Sequence, residues 1–163
     1  MDGTNVQSSE FVFYRGLSPE WQIQATGDFN SDCNSDILWQ NSKTGDIYGW
    51  IMDGKSIVAD SSGYIITGVP PQYQIKSVAD YDGDGKGDIQ LYDVTTGKTY
   101  IWLMDGINIT GWDEVKSKGS SSLSGPMTEH GFGAEGWNMK TSGDYNGDGM
   151  NDMLWQDGST GDV

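Results

Sequence analysis

The chain has 163 residues, nine Lys or Arg against 24 Asp or Glu, a formal charge of -15 and a hydrophobic fraction of 35%. That length and apolar content suit one domain or a piece of a larger one. So acidic a chain excludes nucleic acid and anionic membrane as natural partners, because both are held by Lys/Arg patches, and no apolar run approaches the ~20 residues of a membrane span.

In chain order, residues 1–20 precede the first recognisable unit. Met1-Asp2-Gly3 is a triplet that returns at Met52-Asp53-Gly54 and Met104-Asp105-Gly106, where it closes a strand-like segment, so 1–20 reads as the trailing strand of a preceding unit. WQIQATGDFNSDCNSDILWQ (21–40) then aligns without a gap with YQIKSVADYDGDGKGDIQLY (73–92) and WNMKTSGDYNGDGMNDMLWQ (137–156). A Thr-Gly turn follows each copy at the same distance (Thr44-Gly45, Thr96-Gly97, Thr160-Gly161), and GWIMDG (49–54) or IWLMDG (101–106) follows the first two. Short alternating segments rich in Trp, Tyr, Ile and Val predict strands near 22–27, 37–41, 46–52 and 57–66, with equivalents in the second copy and no helix.

The copies divide the chain into repeat 1 (21–72), repeat 2 (73–136) and a truncated repeat 3 (137–163). Their starts lie 52 and then 64 residues apart, and the excess falls in Gly/Ser-rich sequence, so 113–136 reads as a long surface loop. Four short antiparallel strands in roughly 50 to 65 residues is the dimension of a propeller blade. The fold class expected is therefore all-β, a propeller-type array of about three four-stranded blades with incomplete end blades. Three blades are too few to close a propeller, so a longer array, or a protomer completed by a second chain, is expected.

Each copy carries a nine-residue acidic loop: DFNSDCNSD (28–36), DYDGDGKGD (80–88) and DYNGDGMND (144–152). Like charges so close repel unless a cation sits among them. Hard divalent cations take oxygen ligands, and calcium accepts six to eight in flexible geometry whereas magnesium demands a strict octahedron. Alternate residues of a tight loop point oxygens inward. The expected calcium ligands are Asp80, Asp82, Asp84, Asp88 and the Lys86 carbonyl in the second loop. In the third they are Asp144, Asn146, Asp148, Asp152 and the Met150 carbonyl, and in the first Asp28, Asn30, Asp32, Asp36 and the Asn34 carbonyl. Gly85 and Gly149 stand at the sixth position, where the backbone turns into positive φ; Cys33 stands there in the first loop, at a cost of about 1 kcal/mol. An EF-hand is disfavoured, since the twelfth position holds Trp39, Leu91 or Trp155 rather than Glu and no helices flank the loop.

These loops, with Asp at the first and ninth positions, Asp or Asn at the third and fifth and Gly at the sixth, resemble those of the FG-GAP (VCBS-like) repeat family. The resemblance covers most of the chain outside 113–136, and the first loop departs from it at Cys33. It implies a calcium-binding β-propeller of the integrin type and an extracellular or cell-surface setting, as a structural or protein-interaction scaffold that includes self-association.

Trp21, Tyr73 and Trp137 share one repeat position, Trp39 and Trp155 a second, Trp50 and Trp102 a third, which suggests packing between blades. Trp112 has no equivalent in the first copy and is the candidate glycan platform of an alternative, lectin-like reading; a third reading is the noncatalytic part of a larger secreted enzyme. No catalytic residues are assigned. His130, the lone histidine, lies in 113–136 with no nucleophile or orienting acid singled out beside it. Cys33 is the lone cysteine, so no intrachain disulfide forms, and Asn108-Ile109-Thr110 has the form of a glycosylation sequon.

Overall fold

A computed structural model describes residues 17–115 and 137–163; most of the expected trailing strand and most of 113–136, with His130, lie outside them. The described chain is all-β. Its strands are β1 (Trp21–Gly27), β2 (Asp36–Asn41), β3 (Ile47–Trp50), β4 (Met52–Asp53), β5 (Ser56–Ile57), β6 (Gly63–Ile66), β7 (Tyr73–Ala79), β8 (Asp88–Asp93), β9 (Thr99–Asp105), β10 (Asn108–Glu114), β11 (Trp137–Gly143) and β12 (Asp152–Asp157). They form antiparallel sheets in the orders β1-β2-β3-β6, β10-β9-β8-β7, β11-β12 and β4-β5, none of which closes on itself. Repeats 1 and 2 thus each give a four-stranded meander, and the first strands of successive repeats lie against one another, β1 on β7 and β7 on β11.

One expected strand is corrected. The segment 57–66 is broken: Ile57 ends the two-residue β5, a 3-10 turn spans Ala59–Ser61, and only Gly63–Ile66 joins the sheet. Ser62 explains the break, because its hydroxyl accepts from the Ile51 N–H at 2.9 Å and donates to the Val58 carbonyl at 2.8 Å, replacing ladder bonds with side-chain bonds. At its far end β10 runs to Glu114, two residues into the segment read as loop.

The opening hairpin of each repeat is built alike. Pairing of β1 with β2, β7 with β8 and β11 with β12 shifts register at one equivalent place, just after Ile23, Ile75 and Met139. Such a bulge increases local twist. Buried Leu38, Ile47, Ile51, Phe29, Ile89, Leu91, Met104 and Val69 form one core across repeats 1 and 2. Where repeat 1 has Ala25 and Leu38, repeat 2 has Ser77 and the buried Gln90, whose Oε1 accepts from the Ser77 hydroxyl at 2.6 Å while its amide nitrogen reaches Met153 Sδ of repeat 3 at 3.4 Å. A buried polar pair is tolerated because both members are bonded.

The Thr-Gly turns share a device as well. Asn41, Asp93 and Asp157 each accept, through Oδ1, the N–H groups two and three residues on. At Gly45 the turn needs φ of +74°, and an added Cβ would lie 2.0 Å from the Val69 carbonyl oxygen. Its own carbonyl accepts from the Val69 N–H at 3.2 Å, tying the turn to the connection between repeats. Gly45→Ala is therefore expected to destabilise the fold by more than about 2 kcal/mol, from left-handed strain and the lost hydrogen bond, read as a lower urea midpoint at unchanged slope.

Candidate metal centre

Each acidic loop is wound by its own side chains. At the first position, Asp80 accepts from the Gly83 N–H at 2.7 Å and the Gly85 N–H at 2.8 Å. Asp144 accepts likewise from Gly147 and Gly149, at 2.6 and 3.0 Å, and these N–H groups hold its carboxyl below the usual range. Asp28 accepts from the Cys33 and Asp32 N–H groups at 2.7 and 3.1 Å. At the fifth position Asp32, Asp84 and Asp148 accept the N–H of Asn34, Lys86 and Met150 at 2.7, 2.8 and 2.9 Å. The third-position residues Asn30, Asp82 and Asn146 accept the N–H two residues on.

Two positions of this coil, not one, require left-handed backbone. Gly83, Gly85, Gly147 and Gly149 all have φ between 79 and 90°, and in the first loop Ser31 and Cys33 are forced to 61 and 69°. Positive φ at Cys33 is as expected; the structure adds the same demand at the fourth position, where Ser31, Gly83 and Gly147 align.

The ninth position plays a part that the sequence does not disclose. Asp36 and Asp88 are 0% and 1% exposed. Asp88 accepts from the Tyr81 N–H of its own loop at 2.9 Å and, through its other oxygen, from the Met104 N–H of β9 at 2.9 Å. Asp36 accepts from the Phe29 and Met52 N–H groups, both at 2.8 Å. Burial pushes both carboxyls upward; the donated hydrogen bonds oppose this, and the loop's other aspartates add to it. Asp152 accepts from the Tyr145 N–H at 3.0 Å and is half-buried.

In the second loop, carboxylate oxygens of Asp80, Asp82 and Asp88 come within 4.8 Å of one another, the one group of three potential metal-binding side chains so close among the described residues. The expected fourth side chain, Asp84, is not in this group. Its carboxylate meets the Lys86 ammonium at 3.2 Å, which also reaches Asp105 at 3.2 Å; the Lys86 N–H and then this ammonium hold the Asp84 carboxyl low. In the first and third loops Asn30 and Asn146 donate to Asp32 and Asp148 at 2.9 and 3.0 Å. The donor set is all oxygen, and two of its members are close carboxylates beside a buried third. That chemistry fits a hard divalent cation.

Successive loops also touch. The Gly87 N–H donates to the Asp28 carbonyl at 2.6 Å, and the Asn151 N–H, at the same eighth position one repeat on, donates to the Asp80 carbonyl at 2.7 Å. The Gly106 N–H donates to the Phe29 carbonyl at 2.8 Å. Met150 lies against Gly83, so that a Cβ there would meet its Cγ at 3.2 Å. The second and third loops are therefore each seated on the first aspartate of the loop before them.

The aromatic positions divide. Trp155 is buried, Trp39 packs against Trp50 at 4.8 Å between centroids, and Trp112 is 67% exposed on β10. Comparison with family models, with curated proteins and with solved structures finds no match.

Asp88→Ala would strand the buried Tyr81 and Met104 N–H groups and is expected to cost about 2–5 kcal/mol in urea unfolding, against less than half of that for Asp152→Ala. Cys33→Gly, by contrast, is expected to stabilise the protein by about 1 kcal/mol, since it relieves a left-handed non-glycine residue; a lower unfolding midpoint would show that the cysteine side chain contributes packing instead.

Proposed function

We propose that the chain is a calcium-stabilised, propeller-type repeat module of the FG-GAP kind, extracellular or at the cell surface, acting as a structural or protein-interaction scaffold without catalytic activity. The observation that carries this reading is the convergence of Asp80, Asp82 and Asp88 in a loop whose pattern occurs three times in one frame. Calcium would be held by those three carboxylates, with Asp84 and the Lys86 carbonyl as further oxygens, and correspondingly in the loops 28–36 and 144–152. Bound there, it would neutralise repulsion between the carboxylates and favour the ionised form of a buried Asp88. Each loop connects the two strands of an opening hairpin, so the ion's work is to fix the hairpin end.

The propeller-type arrangement is supported by two four-stranded meanders whose first strands lie side by side with β11 next in line. A protein partner, or a second copy of the chain, is supported by β6 and β10, which pair on one side only among the described residues. No helix of the described residues is long and apolar enough to cross a membrane. Weak calcium sites of the kind used by extracellular modules suit a millimolar calcium setting.

The test is thermal unfolding with calcium against chelator, paired with calorimetric titration. A site with a dissociation constant near ~0.1 mM in ~1 mM calcium adds roughly 1.4 kcal/mol, or about 4 kcal/mol for three, so the melting temperature should rise by many degrees. Magnesium at the same concentration should give a smaller rise. Unchanged melting and no heat of calcium binding would refute the reading.

A further inference from the structure

A groove opens between the end of repeat 1 and the sheet of repeat 2, away from the acidic loops. Its volume is about 420 Å³, within the roughly 300–1,000 Å³ usual for small-ligand sites. Ile66 and Val69 form one wall, and Tyr73, Tyr100, Trp102 and Trp112 the other. Tyr73 and Tyr100 lie 6.0 Å apart, and Tyr100 and Trp112 6.3 Å, so the rings form a continuous row that ends on the exposed indole. In a chain of charge -15, no residue lining this groove is charged.

On the other side of the Gly68–Pro70 connection runs a second cleft that shares Gly68, Val69, Pro70 and Tyr73 with the first. Its lining is amide-rich, with Gln24, Gln40, Asn41 and Gln74. Its one cation, Lys43, is neutralised by Glu20 at 2.6 Å. Aromatic faces beside uncharged amides match one ligand chemistry in particular. A pyranose presents an apolar C–H face that stacks on a ring and an equatorial rim of hydroxyls that exchange hydrogen bonds with amides; Asn41 Oδ1 and Gln74 Oε1 already accept from the Lys43 and Thr44 N–H groups and from the Lys76 ammonium, which leaves the amide N–H groups to meet hydroxyl oxygens.

Trp21, Tyr48 and Tyr64 make the corresponding aromatic cluster on repeat 1, with Trp21 and Tyr48 6.3 Å apart, Tyr48 and Tyr64 4.9 Å apart, and Tyr64 56% exposed. Trp21 and Tyr48 stand where repeat 2 has Tyr73 and Tyr100. On repeat 1 the three rings close into a triangle, with Trp21 and Tyr64 also 6.3 Å apart, whereas on repeat 2 they open into a row along the groove, so it is the repeat 2 rings that line a cavity of ligand size.

We infer that the groove walled by Tyr73, Tyr100, Trp102 and Trp112 binds a neutral saccharide, with the adjoining amide cleft taking further sugar units of a chain. The site stands apart from the calcium reading: Tyr73 and its partner Asp93 close the end of the β7–β8 hairpin opposite to Ala79 and Asp88, where the acidic loop begins.

The experiment is saturation-transfer NMR and tryptophan fluorescence titration of the whole chain in calcium. The probes are methyl glycosides of glucose, galactose, mannose and N-acetylglucosamine, with maltohexaose and cellohexaose as chains. At least one neutral probe should bind, and Trp112→Ala should weaken it tenfold or more without lowering the melting temperature, because that side chain is largely in water. Gln74→Ala should weaken a bound hexasaccharide and leave a monosaccharide unaffected. The inference is overturned if no neutral probe transfers saturation, if Trp112→Ala binds as the parent does, or if a glucuronate glycoside outcompetes its neutral counterpart. The calcium reading fails on melting curves and heats of metal binding, and this one on sugar titration, so the two failures are distinct.

Discussion

The buried ninth-position aspartate is the constraint on which the rest of the structure depends. Asp36 and Asp88 each use one oxygen to close their own loop and the other to hold a later strand, β4 at Met52 or β9 at Met104, 16 residues further along the chain. A carboxylate stripped of water is costly to bury, and two donated N–H bonds recover only part of that cost. The same side chain is therefore both the anchor of the hairpin and its chief electrostatic liability. Other aspartates of the loop raise the liability further.

From that anchor follows the way the repeats stack. With the loop closed, the N–H of its eighth residue points to the first carbonyl of the preceding loop, at Gly87 to Asp28 and at Asn151 to Asp80. The first-position aspartate thus belongs to two units at once: its side chain winds its own loop and its backbone receives the next. In a repeat protein stability is largely a sum of unit and interface terms, and here the acidic loop contributes to both. The absence of side chains at the interface, as at Gly27 against Val78 and at Gly87 against the Asp28 carbonyl, lets the units approach to this distance.

At the opposite end of the β7–β8 hairpin the surface is of another kind. Rings and amides replace carboxylates, and the described residues that line the groove carry no charge. A sheet whose one end is held by the hydrogen bonds of Asp80 and Asp88 and whose other end is open and aromatic separates holding the fold from presenting a surface. The register shift common to the three repeats gives their opening hairpins one geometry, since a single bulge after Ile23, Ile75 or Met139 increases the twist of the first strand.

Much of this was legible in the sequence, because its signals are local and recur. A triplicated twenty-residue frame, strand alternation and Asp/Asn/Gly spacing fixed the repeats, the hairpins, the all-β class and the oxygen-donor loops without reference to any distant residue. Positive φ at Cys33 is legible from Gly85 and Gly149 in the same column, and positive φ at Ser31 from Gly83 and Gly147 in theirs. What tertiary structure alone decided are choices between partners. Asp84 turns to Lys86, which also meets Asp105; Ser62 takes the Ile51 N–H and breaks a strand; Gln90 replaces an apolar core residue because Ser77 and Met153 are there to meet it. The spacing of carboxylates says which oxygens lie near one loop, but whether a given oxygen faces a cation, a lysine or a backbone N–H from another strand depends on which residues the folded sheets bring within 3 Å. That information lies in the pairing of segments, not in the pattern of any one of them.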